Sequence, residues 1–242
     1  MNIKKKILFI LGCCGIFFNS FGQNIFPDVG ADMKSLIPEG YSFENATIGD
    51  LNQDNNDDLV IIVENKVNGV LNKVIAIYFQ SKNPDFFESN YVKHTESVIY
   101  TSGYASYVTL LVKNNKLILY TSSSTSSRPQ HYYKFQLRND FFELIGFDYT
   151  WYSTHCHYYS MSDSFNFLTN KKQTLNKING IPKNEEELNN CSIPSEMIAI
   201  LNKNNWKEEF WIQENWKTFN WSPLIMENFN FDTTWKKIQQ IW

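Results

Sequence analysis

The sequence has no Gly-x-Ser-x-Gly, no His-Glu-x-x-His and no phosphate-cradling glycine loop. The usual signatures of esterases, zinc peptidases and nucleotide-hydrolysing enzymes are therefore missing. Glycine is scarce, at 10 of 242 residues, while aromatic residues make up 16%. That balance supplies a well-filled core, and a chain of this length forms one large domain or two small ones. Asparagine and lysine stand where many chains use glycine and arginine, which reads as compositional bias rather than chemistry. No apolar run reaches the roughly 20 residues that a membrane-spanning helix needs.

What is present begins with an export signal. Lys4, Lys5 and Lys6 precede an apolar stretch from Ile7 to Phe18, and Ser20-Phe21-Gly22 places small residues before Gln23. A basic start, a short apolar core and a small-residue cleavage site make a secretory signal peptide over residues 1–22. Ile10-Leu11-Gly12-Cys13 offers a second route, in which Cys13 is acylated as a lipoprotein anchor. Against it, the apolar core before Cys13 is very short, and the segment from Gly15 to Phe18 is apolar where a polar tether is usual. Simple cleavage is the favoured expectation, giving a periplasmic or secreted protein. Cleavage would lower Lys plus Arg from 22 to 19 against 25 Asp plus Glu, taking the formal charge from −3 to −6. Such a charge argues against nucleic acid and against an anionic membrane surface as partners. Four cysteines become two, Cys156 and Cys191. In an oxidising compartment they form either a disulfide or two buried thiols.

From Tyr41 to about Ile178 strand patterns follow one another. Leu59 to Val63 is a continuous apolar run, as in a strand covered on both faces, and Lys73 to Phe79 alternates. Tyr107 to Val112, Lys116 to Tyr120, Tyr132 to Leu137 and Phe141 to Phe147 come at short spacing. Asn114-Asn115 and Arg138-Asn139-Asp140 punctuate them as turns. The expected fold is mainly β, an antiparallel meander like propeller blades or a sandwich, over residues 23–182. Residues 183–242 read as a smaller helical, Trp-rich segment packed on it. Helical patterns fall near 185–189 and 194–202, and the last helix has Asp232 as its expected cap, with Trp235, Ile238 and Trp242 on one face. Trp206, Trp211, Trp216 and Trp221 recur every five residues, a period that fits one face of neither helix nor strand. Packing from several directions is the plain reading; a stacking surface for sugar rings is the functional one.

The chemically informative segment runs from Asp50 to Asp58. Oxygen-bearing side chains fall at alternate positions, Asp50, Asn52 and Asp54, then at Asp58, with the Asn56 carbonyl between. Calcium takes six to eight oxygens with tolerant geometry, and this alternation suits it. The sixth position of such a loop requires a left-handed residue, and Asn55 is the best substitute for glycine. No glutamate stands at the twelfth position, where Ile61 opens a strand, so this is no helix-loop-helix site. Without metal, the same residues would form an Asx-rich turn.

Ala46 to Ile61, through Gly49-Asp50-Leu51-Asn52-Gln53-Asp54 and Asp57-Asp58-Leu59-Val60, resembles the calcium-loop signature of FG-GAP or VCBS-type repeats. The resemblance implies a β-rich secreted protein with calcium held between two strands. It carries Asp50, Asn52, Asp54 and Asp58 over as side-chain ligands and Asn56 as a carbonyl ligand. It covers some 16 residues, and no second clear copy exists, so it implies a local loop rather than a full propeller.

His155-Cys156-His157 would put two imidazoles on one face of an extended segment, with His131 or His94 as a third metal ligand. In surroundings rich in tyrosine and tryptophan, half-buried packing is the simpler reading. Two functions follow. The first is an exported non-catalytic module, stabilised by calcium, that binds a protein or carbohydrate partner. The second is a periplasmic enzyme with a pocket of His131, His155, His157 and nearby tyrosines.

Overall fold

The computed structural model describes residues 25–67, 69–82, 89–101, 107–122, 129–152, 159–178, 199 and 211–241. Two antiparallel sheets make up most of them. The smaller contains β1 (Val29–Gly30), β2 (Ser42–Gly49), β3 (Asp58–Val67), β4 (Val70–Lys82) and β5 (Ser89–Thr101), in the order β1-β5-β4-β3-β2. The larger contains β6 (Tyr107–Lys113), β7 (Lys116–Ser122), β8 (Gln130–Arg138), β9 (Phe141–Tyr152), β10 (Tyr159–Asn166), β11 (Lys171–Ile178) and β12 (Trp211–Thr218), each paired with its sequence neighbour. A helix, α1 (Phe231–Gln240), closes the chain. The expected antiparallel meander is thus the observed fold, in two sheets.

Turn chemistry explains the tight hairpins. Asn114 and Asn115 both take left-handed backbone angles, φ 52° and 56°, and Asn139 and Asp140 do the same at 49° and 65°. Two such residues in a row make the turn whose twist matches the paired strands, and Asn and Asp tolerate it better than other non-glycine residues. β6 pairs with β7 across the first turn and β8 with β9 across the second.

The period-two alternation of β3 feeds two cores. Val60 and Ile62 join the core between the sheets, whereas Leu59, Ile61 and Val63 join a second core with Phe26 and Leu36. The N-terminal segment thus covers the outer face of the smaller sheet. It is held there by Glu96, whose carboxylate accepts the amides of Ile25 and Phe26 at 2.8 and 3.1 Å. Burying each such aliphatic side chain contributes about 1.5–3 kcal/mol. The larger sheet gives the main core its aromatics: Tyr133, Phe135, Phe142, Phe147 and Phe165, against Phe229 and Phe231 of the C-terminal segment. Tyr133 meets Phe229 edge-on with ring centres 5.1 Å apart.

The sheets are joined along both sides. On one side β2 lies beside β6. Asn45 donates its side-chain amide to the Val108 carbonyl at 3.1 Å, and a Cβ added to Gly49 would stand 2.7 Å from Val112 Cγ1. Only glycine permits that approach without moving the valine. On the other side Thr95 and Ser97 of β5 donate to the Glu227 carboxylate and the Phe229 carbonyl.

The C-terminal region departs from expectation in two ways. Trp211 to Thr218 form strand β12, paired with β11, so the region after residue 183 adds an edge to the larger sheet as well as a helix. The helix cap is Asn230, not Asp232. The Asn230 side chain accepts from the amides of Asp232 and Thr233, which places Asp232 inside the first turn. There its charge still suits the helix dipole. Ile238 is buried and Trp235 half-buried, as the shared face requires, while Trp242 lies outside the described residues. Residues 1–24, both cysteines Cys156 and Cys191, the boundary near 182 and the helical patterns at 185–189 and 194–202, apart from a helical Ala199, also lie outside them. No helix among the described residues is long and apolar enough to cross a membrane.

Candidate metal centre

The acidic segment forms the connection between β2 and β3, and the core fixes both its ends. Gly49 ends β2 against Val112, Leu51 turns inward at 1% exposure, and Asp58 starts β3 fully buried. Between these anchors the chain needs two left-handed residues, Gln53 at φ 67° and Asn55 at φ 63°.

The side-chain oxygens are bound up with loop amides. One Asp50 oxygen accepts from Gln53 N at 2.6 Å and Asp54 N at 3.2 Å; the other accepts from Asn55 N at 3.1 Å. Asn52 Oδ1 accepts from Asp54 N, and Asp54 Oδ1 from Asn56 N at 2.8 Å. Asn52 Nδ2 donates to Asp54 Oδ2. Asp58 faces inward and back. It accepts the amides of Leu51 and Asn52 with one oxygen, and that of Gln80 on β4 with the other. Burial pushes its carboxyl above the ordinary range, against the pull of those three amides, and the charge of Asp54 adds to the rise.

All five expected ligand positions, Asp50, Asn52, Asp54, Asn56 and Asp58, therefore belong to one loop. Asp50, Asn52 and Asp54 share a connected set of hydrogen bonds on its exposed side, and Asp58 anchors its buried side. Among the described residues, no three His, Cys, Asp or Glu side chains converge as a ready metal cage. The chemistry of the donor set fits a hard cation: it is all oxygen and mostly anionic, and although Asp50 Oδ1 and Asp58 Oδ2 already hold two amides each, Asp50 Oδ2, Asp54 Oδ1 and Asp58 Oδ1 hold one and retain a second lone pair. Calcium would be held by Asp50, Asn52, Asp54, Asp58 and the Asn56 carbonyl, and would supply charge neutralisation and rigidity.

Three contributors to this loop carry no obvious sequence signal. Asn115, in the β6–β7 turn of the other sheet, donates its side-chain amide to the Asp50 carbonyl at 2.8 Å. Gln80 caps Asp58 from β4, and Leu51 is an apolar anchor inside a polar motif. An Asn-Asn pair reads as turn punctuation, and nothing local tells which carbonyl it will reach.

The two described histidines, His94 and His131, lie on different sheets. His131 of β8 lies in an aromatic nest, 4.9 Å from the Trp235 ring, 5.3 Å from Tyr149 and 5.9 Å from Phe147. Its Nδ1 is 3.3 Å from the Thr121 hydroxyl, and burial lowers its pKa to about 4. His94 of β5 stacks on Phe79 at 4.4 Å and meets Phe142 edge-on, and burial lowers its pKa too. His155 and His157 lie outside the described residues. Of the tryptophans whose side chains are described, Trp216 is 60% exposed on β12, while Trp221 stacks on Phe167 at 4.1 Å.

Fold and loop define a class: a two-sheet antiparallel β protein with an acidic loop at the join of two strands. No family model, no curated protein and no solved structure matches the chain.

Proposed function

We propose that the chain is an exported, non-catalytic β module whose β2–β3 loop takes up calcium, which stiffens that connection while the rest of the surface binds a protein or carbohydrate partner. The observation that carries this reading is the placement of Asp50, Asn52, Asp54, Asn56 and Asp58 in one loop whose ends are pinned to the core by Leu51 and Asp58. Four carboxylates on nine residues, Asp50, Asp54, Asp57 and Asp58, repel one another, and a divalent cation relieves that repulsion. The resemblance to FG-GAP and VCBS-type calcium loops agrees with this chemistry and with export. His131 supports a packing role over the enzymatic one, since rings surround it and burial keeps it neutral.

Fractionation and cross-linking in the native cell test the reading as a whole. The mature chain should begin at Gln23, lie outside the cytoplasm and cross-link to one partner in millimolar calcium, with the cross-link weakened by chelator. Cytoplasmic protein retaining residues 1–22, or an acylated Cys13 in the membrane fraction, would overturn the processing route. Turnover of a small substrate that is lost on His131→Ala would overturn the non-catalytic assignment.

A further inference from the structure

The larger sheet turns one face to the core and the other away from it. Leu117, Leu119, Tyr133, Phe135 and Phe147 face the core, so the residues between them on β7, β8 and β9 face outward. The strand registers bring six outward residues into one row across the sheet: Tyr120, Tyr132, Asp148, Ser164, Gln173 and Trp216. Trp216 ends the row at 60% exposure, and at the other end the rings of Tyr120 and Tyr132 lie 4.8 Å apart. Neighbouring strands are about 4.8 Å apart, so four strand steps separate Tyr132 from Trp216 by about 19 Å. Between these rings the row is polar: the Ser164 hydroxyl donates to Asp148 at 2.7 Å, and Lys134 pairs with the same carboxylate. The next row along the strands holds Lys134, Gly146, Asn166 and Lys171.

Charge sets this face apart from the rest of the molecule. Among the described side chains, its strands point six cations outward, Lys113, Lys116, Lys134, Arg138, Lys171 and Lys177, against two carboxylates, Glu143 and Asp148. Both carboxylates are already paired, Asp148 with Lys134 and Glu143 with Arg138. The whole chain has a formal charge of −3, so the excess of cations here is local. We propose that this outer face binds an acidic polysaccharide, a chain of sugar rings that bear carboxylates. The inference rests on the carbohydrate branch of the reading above and gives it a place and a ligand class; it does not depend on calcium. Sugar rings stack on Trp216 and on the Tyr120–Tyr132 pair, whose flat apolar faces match them. Ser164 and Gln173 offer hydrogen bonds to hydroxyls between those two platforms. Exposed Lys171 stands opposite Thr218, two residues along from the Gln173–Trp216 pair, and meets a carboxylate of a ring stacked on Trp216. This charge complementarity favours an acidic glycan over a neutral one. Duplex DNA, with one charge per about 1.7 Å, is opposed by the acidic remainder of the chain.

Affinity electrophoresis of the mature chain through gels containing polygalacturonate, neutral dextran or duplex DNA tests the proposal. Chelator is present throughout, because polyuronates take up calcium themselves and because the acidic loop is then kept out of the result. Trp216→Ala removes the exposed ring and Lys171→Glu reverses the neighbouring charge. Both positions are exposed, and unchanged melting separates lost binding from lost structure. Phe43→Ala, which removes a 45% exposed ring from the smaller sheet, is the control. Polygalacturonate should retard the wild type and Phe43→Ala, less so as salt rises, and dextran should not. Trp216→Ala and Lys171→Glu should each weaken the retardation by about tenfold. Equal retardation by dextran would overturn the acidic ligand. Retardation by DNA as strong as by polygalacturonate and unchanged in Trp216→Ala would reduce the face to plain charge attraction and overturn the glycan assignment. A loss in Phe43→Ala equal to that in Trp216→Ala would overturn the location. No retardation by any polymer would overturn the proposal, while calcium-dependent melting and cross-linking to a protein would still decide the reading on which it rests.

Discussion

Lys172 on β11 reaches Asp163 on β10, Nζ to Oδ1 at 3.2 Å, and both side chains are shut away from solvent. The Thr174 hydroxyl donates to the same carboxylate oxygen, and the ammonium lies 5.2 Å from the centre of the Phe165 ring. Burial lowers the Lys172 pKa, and Asp163 opposes that shift. Removing one partner of such a pair strands a buried charge, which costs about 3–5 kcal/mol, whereas replacing both with apolar groups can be nearly neutral. Lys172→Met should therefore lower the urea midpoint sharply, and Lys172→Met with Asp163→Leu should recover most of the loss. Equal midpoints for Lys172→Met and wild type would remove the pair from the list of contributors.

His131 sets an acid limit. Its folded pKa, about 4, lies below the ordinary value of 6.5. The unfolded chain therefore binds the proton first. The stability that neutral His131 contributes is complete above about pH 6.5, shrinks as pH falls, and is gone below about pH 4. By linkage the loss is about 3 kcal/mol. Chemical denaturation at pH 7 and pH 4.5 should show it, and His131→Phe, which keeps a ring among Phe147, Tyr149 and Trp235, should flatten the slope in this window. An unchanged slope in that variant would place the acid sensitivity elsewhere.

The start of α1 separates two candidate caps. Asn230→Ala removes the acceptor for the Asp232 and Thr233 amides and should cost about 1 kcal/mol. Asp232→Ala removes only a charge in the first turn and should cost about 0.3–1 kcal/mol at low ionic strength, less in salt. Thermal melting of the two variants in low and high salt distinguishes them. A larger loss for Asp232→Ala would reverse the assignment.

Strand by strand, the fold is readable where side-chain alternation or turn chemistry is local. Leu59 to Val63 announces a strand covered on both faces, and Asn114-Asn115 and Asn139-Asp140 announce the hairpins that the left-handed angles confirm. Strand β12 hides because Trp-Ile-Gln-Glu-Asn-Trp-Lys-Thr alternates poorly; the β11 ladder creates it. The Asn230 cap hides behind Asp232, since both are capping residues and only backbone geometry separates them. Around the acidic loop, oxygen spacing is legible, but the contributions of Asn115, Gln80 and Leu51 depend on which strands meet in space. Lys172 and Asp163 are nine positions apart in sequence and meet only through the register of β10 and β11.

Thermal melting of the mature chain in millimolar calcium and in chelator, for wild type, Asp50→Ala and Asp54→Ala, tests the calcium assignment most directly. An ion that binds only the folded form stabilises it by about 2.7 kcal/mol at a hundredfold excess over Kd, and extracellular calcium modules have Kd of about 10⁻⁴–10⁻³ M. Magnesium should substitute poorly, because it prefers tight octahedral geometry and keeps its waters. The account predicts a calcium-dependent rise in Tm of several degrees for the wild type and none for either variant. Identical wild-type melting in calcium and in chelator would contradict it and leave Asp50 to Asp58 as a turn held by its own hydrogen bonds.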